Sequence, residues 1–205
     1  LEQFDVLILD ECHKGSAKVL ETICMQAVTI KYRTGWTGSL KENSINSLLI
    51  EGLFGPIEVI TDLKTLMDHD VVAQMKIVAA IFRYSEEESK HVIGLNYQQE
   101  IEYIEHNKRR IEKMCSIAGA MNSFGIILYS HISHGKKIYD ELRKKYPERN
   151  IYLVHSGVYV CNDQKYSSIE EMKPLMESDP NGIVVAIFSI FSTGISIKNI
   201  RFITT

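Results

Sequence analysis

Cysteine is sparse in this chain, and long apolar runs are missing. The four cysteines, Cys12, Cys24, Cys115 and Cys161, are widely scattered and form no C-x-x-C pair. Such spacing argues against a disulfide framework or a zinc site and reads as free thiols in a reducing cytoplasm. No apolar stretch is long enough to span a bilayer, so no membrane partner is expected. Glu2 and Asp5 stand where a secretory leader carries basic residues. Charge of one sign is not in excess either. With a formal net charge of -3, a nucleic-acid partner must be held by local basic patches, not by the field of the whole chain. Low-complexity tracts and sequence repeats are absent, which excludes collagen-like, coiled-coil and disordered classes. What is present is 45% hydrophobic residues over 205 positions, enough for one large or two small cores.

Strand and helix signals alternate along that length. Phe4 to Leu9 reads as a strand buried on both faces, because its apolar run is nearly continuous. Ser16 can cap a helix to about Gln26. A β-branched run from Val28 ends in the turn "TGWTGS". Asn43 or Ser44 opens a further helix, Gly55-Pro56 breaks it, and "IEVIT" reads as a short strand. Asp62 caps "LKTLMDHD", and "MKIVAAIFRY" reads as another strand. "SEEESKHVIGLN" is polar and aperiodic, the composition of a linker. Helices then extend to about Met121, followed by "FGIILYS" (strand), Ser133 to Tyr146 (helix), "NIYLVHSG" (strand), "SSIEEMKPLMES" (helix) and two last strands, "GIVVAIFS" and "NIRFITT". The fold expected is α/β: two parallel-sheet domains in tandem, at 1–84 and 97–205, joined by a linker at 85–96. The chain opens just before a strand and stops inside what reads as another, so both domains are expected to be truncated.

The first strand runs into "DECHKGS". In open parallel sheets ligands collect beyond the carboxyl ends of strands, and Asp10 and Glu11 stand at such an end. Adjacent acids there can divide labour. One holds Mg²⁺, a cation that prefers hard oxygen ligands, and the other orients or deprotonates a water. Phosphoanhydride hydrolysis uses that pair. A plain strand-to-helix turn is the other reading of two acids alone.

The order of motifs bears on the choice. Asp-Glu-x-His after a strand resembles motif II of the superfamily 2 helicases, in the DExH form. Thr37-Gly38-Ser39 resembles motif III. "FGIILYSHISHGKKIYDEL", "YLVHSG" and "IVVAIFSIFSTGISIKNI" resemble motifs IV, IVa and V. The five occur in family order over nearly the whole chain. Their wording is similar to that of phage recombination helicases and of the motor subunits of restriction enzymes.

The resemblance implies two RecA-like domains and an ATP-dependent DNA helicase or translocase that remodels branched DNA in phage recombination and replication. ATP and Mg²⁺ are the implied cofactors. DNA is the implied partner, branched or single-stranded and held through its backbone, with RNA left open; the compartment would be the host cytoplasm. Asp10 would hold the metal, Glu11 position the water, and His13 link the acids to the tripeptide Thr37, Gly38 and Ser39. A satisfied turn histidine and an ordinary turn are the competing readings. Gly194 and Ser196 would face the nucleotide, although Ser196 stands where many relatives have aspartate. Ser130, His131, His155, Ser156, Ser192 and Thr193 would contact the nucleic-acid backbone. Trp36, the single tryptophan, reads as a core residue, with base stacking the alternative, and Lys108, Arg109, Arg110 and Lys113 read as a solvated helix face or a source of phosphate attraction. His131 and His134 stand three apart but suggest no third metal ligand.

Two family motifs are not in the sequence: the P-loop G-x-x-x-x-G-K-[ST] and motif VI, Q-x-x-G-R-x-x-R. The 205 residues alone are therefore expected to be an inactive ATPase. A restriction-enzyme motor subunit and a non-catalytic, degenerate helicase serving as a DNA-binding scaffold are the alternatives.

Overall fold

A computed structural model describes residues 4–15, 17–27, 29–38, 45–191 and 197–205. The chain divides into two compact units, one ending at Val78 and one beginning at Ala79.

The first unit is built on a parallel pair, β1 (Val6–Leu9) and β2 (Tyr32–Gly35), joined through a 3-10 turn at Cys12–Lys14 and helix α1 (Ala17–Gln26). Helices α2 (Ile45–Phe54) and α3 (Leu63–Asp68) follow. Cys12, Leu20 and Ile50 form a small core, with Leu9, Leu49, Leu53 and Phe54 packed around it. The expected cap at Asp62 is present, its carboxylate accepting from Thr65 N–H at 2.9 Å. The capping residue expected for α1, Ser16, and those for α2, Asn43 and Ser44, lie outside the described residues.

Three strand expectations are corrected here. β1 is not buried on both faces: Val6 and Ile8 are 51% and 64% exposed, because only the Leu7–Leu9 side meets a packing layer. "IEVIT" and "MKIVAAIFRY" form no strand. Apolar alternation cannot make a strand without a neighbour to accept its backbone hydrogen bonds, and among the described residues neither segment has one. Their side chains are open: Val59 is 80% and Ile77 82% exposed.

The second unit begins with α4 (Glu86–Val92), α5 (Tyr97–His106) and α6 (Lys108–Ala120). Residues read as linker are thus largely helical at α4. A capping box explains it: Ser85 accepts from Glu88 N–H while the Glu88 side chain accepts from Ser85 N–H. Three acids in the first turn, Glu86, Glu87 and Glu88, suit the helix dipole. The elements that follow are β3 (Gly125–Tyr129), α7 (Ile132–Lys145), β4 (Ile151–His155), β5 (Val158–Cys161), β6 (Gln164–Tyr166), α8 (Ile169–Ser178), β7 (Ile183–Ile187), α9 (Phe188–Phe191) and β8 (Phe202–Thr204). They build one six-stranded sheet in the order β6-β5-β4-β7-β3-β8.

Its four strands β4, β7, β3 and β8 are parallel, as expected, and α/β layering follows from period two along each strand. Ile127 and Tyr129 turn to one face, where Ile111, Met114, Cys115, Ile138 and Leu142 of α6 and α7 cover them. Ile126 turns to the other, with Met172 and Met176 of α8. Both faces being covered, the strands can be apolar throughout. The antiparallel edge of β5 and β6 was not expected from the sequence. Asn162 at φ 50 makes the tight turn between them. Arg149, only 5% exposed, ties the unit together by donating to the carbonyls of Asn181, Gly119 and Ser123 at 2.7, 3.0 and 3.2 Å. The four cysteines are unpaired. Burial pushes the Cys12 and Cys115 thiols up, the latter to about 12, which keeps them protonated and inert.

Candidate functional site

The carboxyl ends of β1 and β2 are held side by side by main-chain bonds. Trp36 N–H donates to the Leu9 carbonyl at 2.8 Å, and Cys12 N–H donates to the Trp36 carbonyl at 3.1 Å. The acid pair is thereby fixed between two anchored residues. Close approach of the strand end to the turn requires Gly35, where a Cβ would stand 3.1 Å from Cys12 Sγ and 3.2 Å from a Phe54 ring carbon. Trp36 contributes its backbone, not core volume: its side chain is 49% exposed, contrary to the expectation of core packing.

Within the turn, Glu11 sits in the left-handed region at φ 50, ψ 40. A non-glycine residue there is uncommon and concentrates at functional sites. Asp10 supports it by accepting from Glu11 N–H through Oδ1 at 2.9 Å. Both acids are exposed at the strand tip. His13 closes the constellation. Its Nδ1 lies 3.1 Å from Glu11 Oε2 and 2.5 Å from Thr37 Oγ1. One ring atom therefore touches both the acid pair and the hydroxyl residue beyond the neighbouring strand. Gly38 follows in the described chain, whereas Ser39 lies outside it.

This donor set fits Mg²⁺ with a nucleotide. Mg²⁺ keeps several waters and is bound through one or two carboxylates plus substrate phosphates, not through a full protein cage. Two exposed carboxylates with one orienting imidazole meet that description. Among the described residues no group of three His, Cys, Asp or Glu side chains forms a closed metal site.

In the second unit, the strands carrying the other candidates run parallel, so their carboxyl ends share one edge. Ser130 and His131 follow β3, and His155 ends β4 with Ser156 next. Ser130 and Ser156 are exposed there, and Ser156 has φ 29. His131 Nδ1 instead faces the Glu105 carboxylate at 2.7 and 2.8 Å, a partner on α5 that no sequence motif announces. His155 is 5% exposed, and among the described residues neither ring nitrogen has a hydrogen-bond partner. Ser192, Thr193, Gly194 and Ser196 lie outside the described residues, so the motif V readings have no geometry to set beside them.

His134, on the first turn of α7, is also buried at 6%, and among the described residues its Nε2 has no hydrogen-bond partner. Burial holds it down to about 4, and burial followed by the nearby Lys136 charge lowers His155. The folded state thus resists protons that the unfolded chain accepts below about pH 6.5. The contribution of these two histidines is complete above that pH and falls as the pH drops, the His134 part levelling off near 4. Thermal unfolding followed by circular dichroism is expected to show a lower midpoint at pH 5 than at pH 7, and His134→Gln is expected to narrow the gap. Equal midpoints for the native chain would contradict this.

Comparisons with known proteins bear on the whole chain. No family model matches it. Over 202 residues, 97% of this chain, it is 31% identical to the ATP-dependent DNA helicase uvsW of Enterobacteria phage T4. The crystal structure of T4 UvsW covers 98% of this chain with a TM-score of 0.53 and 28% identity. The chain spans 39% of the curated relative's length and 38% of the crystallised chain.

Proposed function

We propose that this UvsW-like chain is the part of an ATP-dependent DNA helicase that contributes the acid pair of the nucleotide site and a second α/β unit, and that the whole enzyme remodels branched DNA. The observation that carries the reading is the His13 ring nitrogen lying within bonding distance of both Glu11 and Thr37. A structural turn has no use for an exposed acid in left-handed backbone tied through an imidazole to the next strand. A phosphoanhydride-hydrolysing motor does, since it must orient a water and report the result to the part that grips DNA.

Mg²⁺–ATP, when bound, would supply the γ-phosphoryl group that water attacks, with ADP as the leaving group, and the metal would neutralise charge on the phosphate oxygens. The chain's own residues do the rest. Asp10 would offer hard oxygens to the metal, and its Oδ1 fixes the Glu11 amide. Glu11, through the carboxylate oxygen not engaged by His13, orients the attacking water and accepts its proton. His13 keeps Glu11 Oε2 in place and transmits its position to Thr37. Ser130 and Ser156, exposed at the carboxyl edge of the second sheet, offer hydroxyls to the sugar-phosphate backbone. Gly38 and Ser39 complete the coupling tripeptide, and Gly194, Ser196, Ser192 and Thr193 keep their proposed nucleotide and backbone contacts. The domain limits 1–84 and 97–205 are retained as those of the two RecA-like domains.

The test is ATP turnover with and without forked DNA. The full-length protein is expected to hydrolyse ATP in a DNA-stimulated manner and to unwind the fork, while the isolated 205-residue chain turns over negligibly. Robust hydrolysis by the isolated chain, or none by the full-length protein on any DNA, would defeat the reading.

A further inference from the structure

The second unit carries a charged groove that the strand-end chemistry does not use. Arg109, Glu112, Lys113 and Ser116 recur at helical spacing on α6, so they form one stripe. Glu141, Lys144 and Lys145 form a matching stripe on α7. The two stripes line a common open groove of about 720 Å³, together with Ile81, Phe82 and Arg83. It is lined by five cations against two carboxylates, on a chain whose net charge is -3.

The walls are built, not incidental. Arg109 lies 4.8 Å over the Phe82 ring, donates to the Arg83 carbonyl at 2.6 Å and pairs with Glu88 at 2.9 Å. Lys145 donates to Ser116 Oγ at 2.6 Å, bridging α7 to α6. Glu112 is drawn off toward Lys108 at 3.7 Å. Arg83, Lys113 and Lys144 are exposed, and among the described residues none has a carboxylate within ion-pair distance. Their charge is therefore not cancelled locally, and it is presented along a channel.

The groove is also separate from the strand-end candidates. α7 starts just after β3 and runs back along the sheet, so Lys144 and Lys145 lie roughly 18 Å from its first turn, at 1.5 Å per residue. The groove is thus a site distinct from Ser130 and Ser156, one that a second segment of nucleic acid can occupy.

We infer that the groove between α6 and α7 binds the phosphate backbone of a second nucleic-acid segment, an arm or displaced strand of the branched substrate, by charge and without reading sequence. Exposed lysines lining a channel are suited to phosphate contacts that release counterions. The inference rests on the reading of the protein as a DNA-remodelling motor.

The test is the charge reversal Lys113→Glu with Lys144→Glu in the full-length protein, with circular dichroism to establish folding. Binding of forked DNA and of a short single strand is measured across a salt series. Removing two phosphate contacts is expected to lower the salt slope for forked DNA by about 2 and weaken that binding roughly tenfold or more at low salt. Hydrolysis stimulated by a saturating short single strand stays unchanged, and Lys113→Arg with Lys144→Arg keeps the slope. An unchanged slope and affinity for forked DNA would overturn the inference. A native protein that binds the single strand but shows no greater salt slope on the fork defeats this inference alone; one that binds neither DNA defeats the functional reading as well.

Discussion

Replacing Glu11 with glutamine is expected to lower DNA-stimulated ATP turnover of the full-length protein by about 10²–10⁴-fold, with nucleotide affinity nearly unchanged. The substitution keeps side-chain size, and it leaves the residue as willing as before to hold φ 50. The Asp10 carboxylate still caps the amide of residue 11. What is lost is the proton-accepting carboxylate, since an amide cannot take a proton from water at neutral pH. Steady-state phosphate release and equilibrium nucleotide binding measured together separate the two effects. Turnover within about threefold of the native rate would remove Glu11 from the chemistry, because a positioned general base contributes at least about 10²-fold.

The second large effect concerns coupling. His13→Ala and Thr37→Ala are each expected to reduce base pairs unwound per ATP hydrolysed, more than they reduce hydrolysis itself. The double variant is expected to be scarcely worse than either single one, because both remove the same 2.5 Å contact. Groups that touch in this way show interaction terms of roughly 0.5–3 kcal/mol in such cycles. Additive losses would mean that the two side chains act separately, and equal losses of hydrolysis and unwinding would mean that the contact belongs to catalysis alone.

The alternation of strand and helix signals made the α/β class and the parallel core legible in the sequence. Continuous runs such as "GIILY" and "IVVAI" belong to strands covered on both faces, and the helices between them are where their apolar stripes placed them. The site was legible through residue types: an acid pair at a strand tip, and hydroxyls after the next strand. Geometry supplied what type could not. That His13 uses one nitrogen for both Glu11 and Thr37 depends on main-chain bonds between Leu9, Trp36 and Cys12, which no side-chain pattern encodes. The same holds for His131, whose partner Glu105 is 26 residues away. "IEVIT" and "MKIVAAIFRY" misled because β propensity describes a fit to a neighbouring strand, and none lies beside them. The β5–β6 edge passed unread although Asn162-Asp163 between short alternating runs is hairpin chemistry.

The central claim is that the acids at the end of β1 manage a metal-bound triphosphate. Its most direct test is electron paramagnetic resonance of Mn²⁺, standing in for Mg²⁺, titrated with ATP into the native full-length protein and into Asp10→Asn. The account predicts a protein-bound Mn²⁺–ATP signal whose apparent affinity falls by about tenfold or more in the variant, in keeping with the loss of an ionised partner worth roughly 1.5–3 kcal/mol. Identical titrations for the two proteins would contradict it.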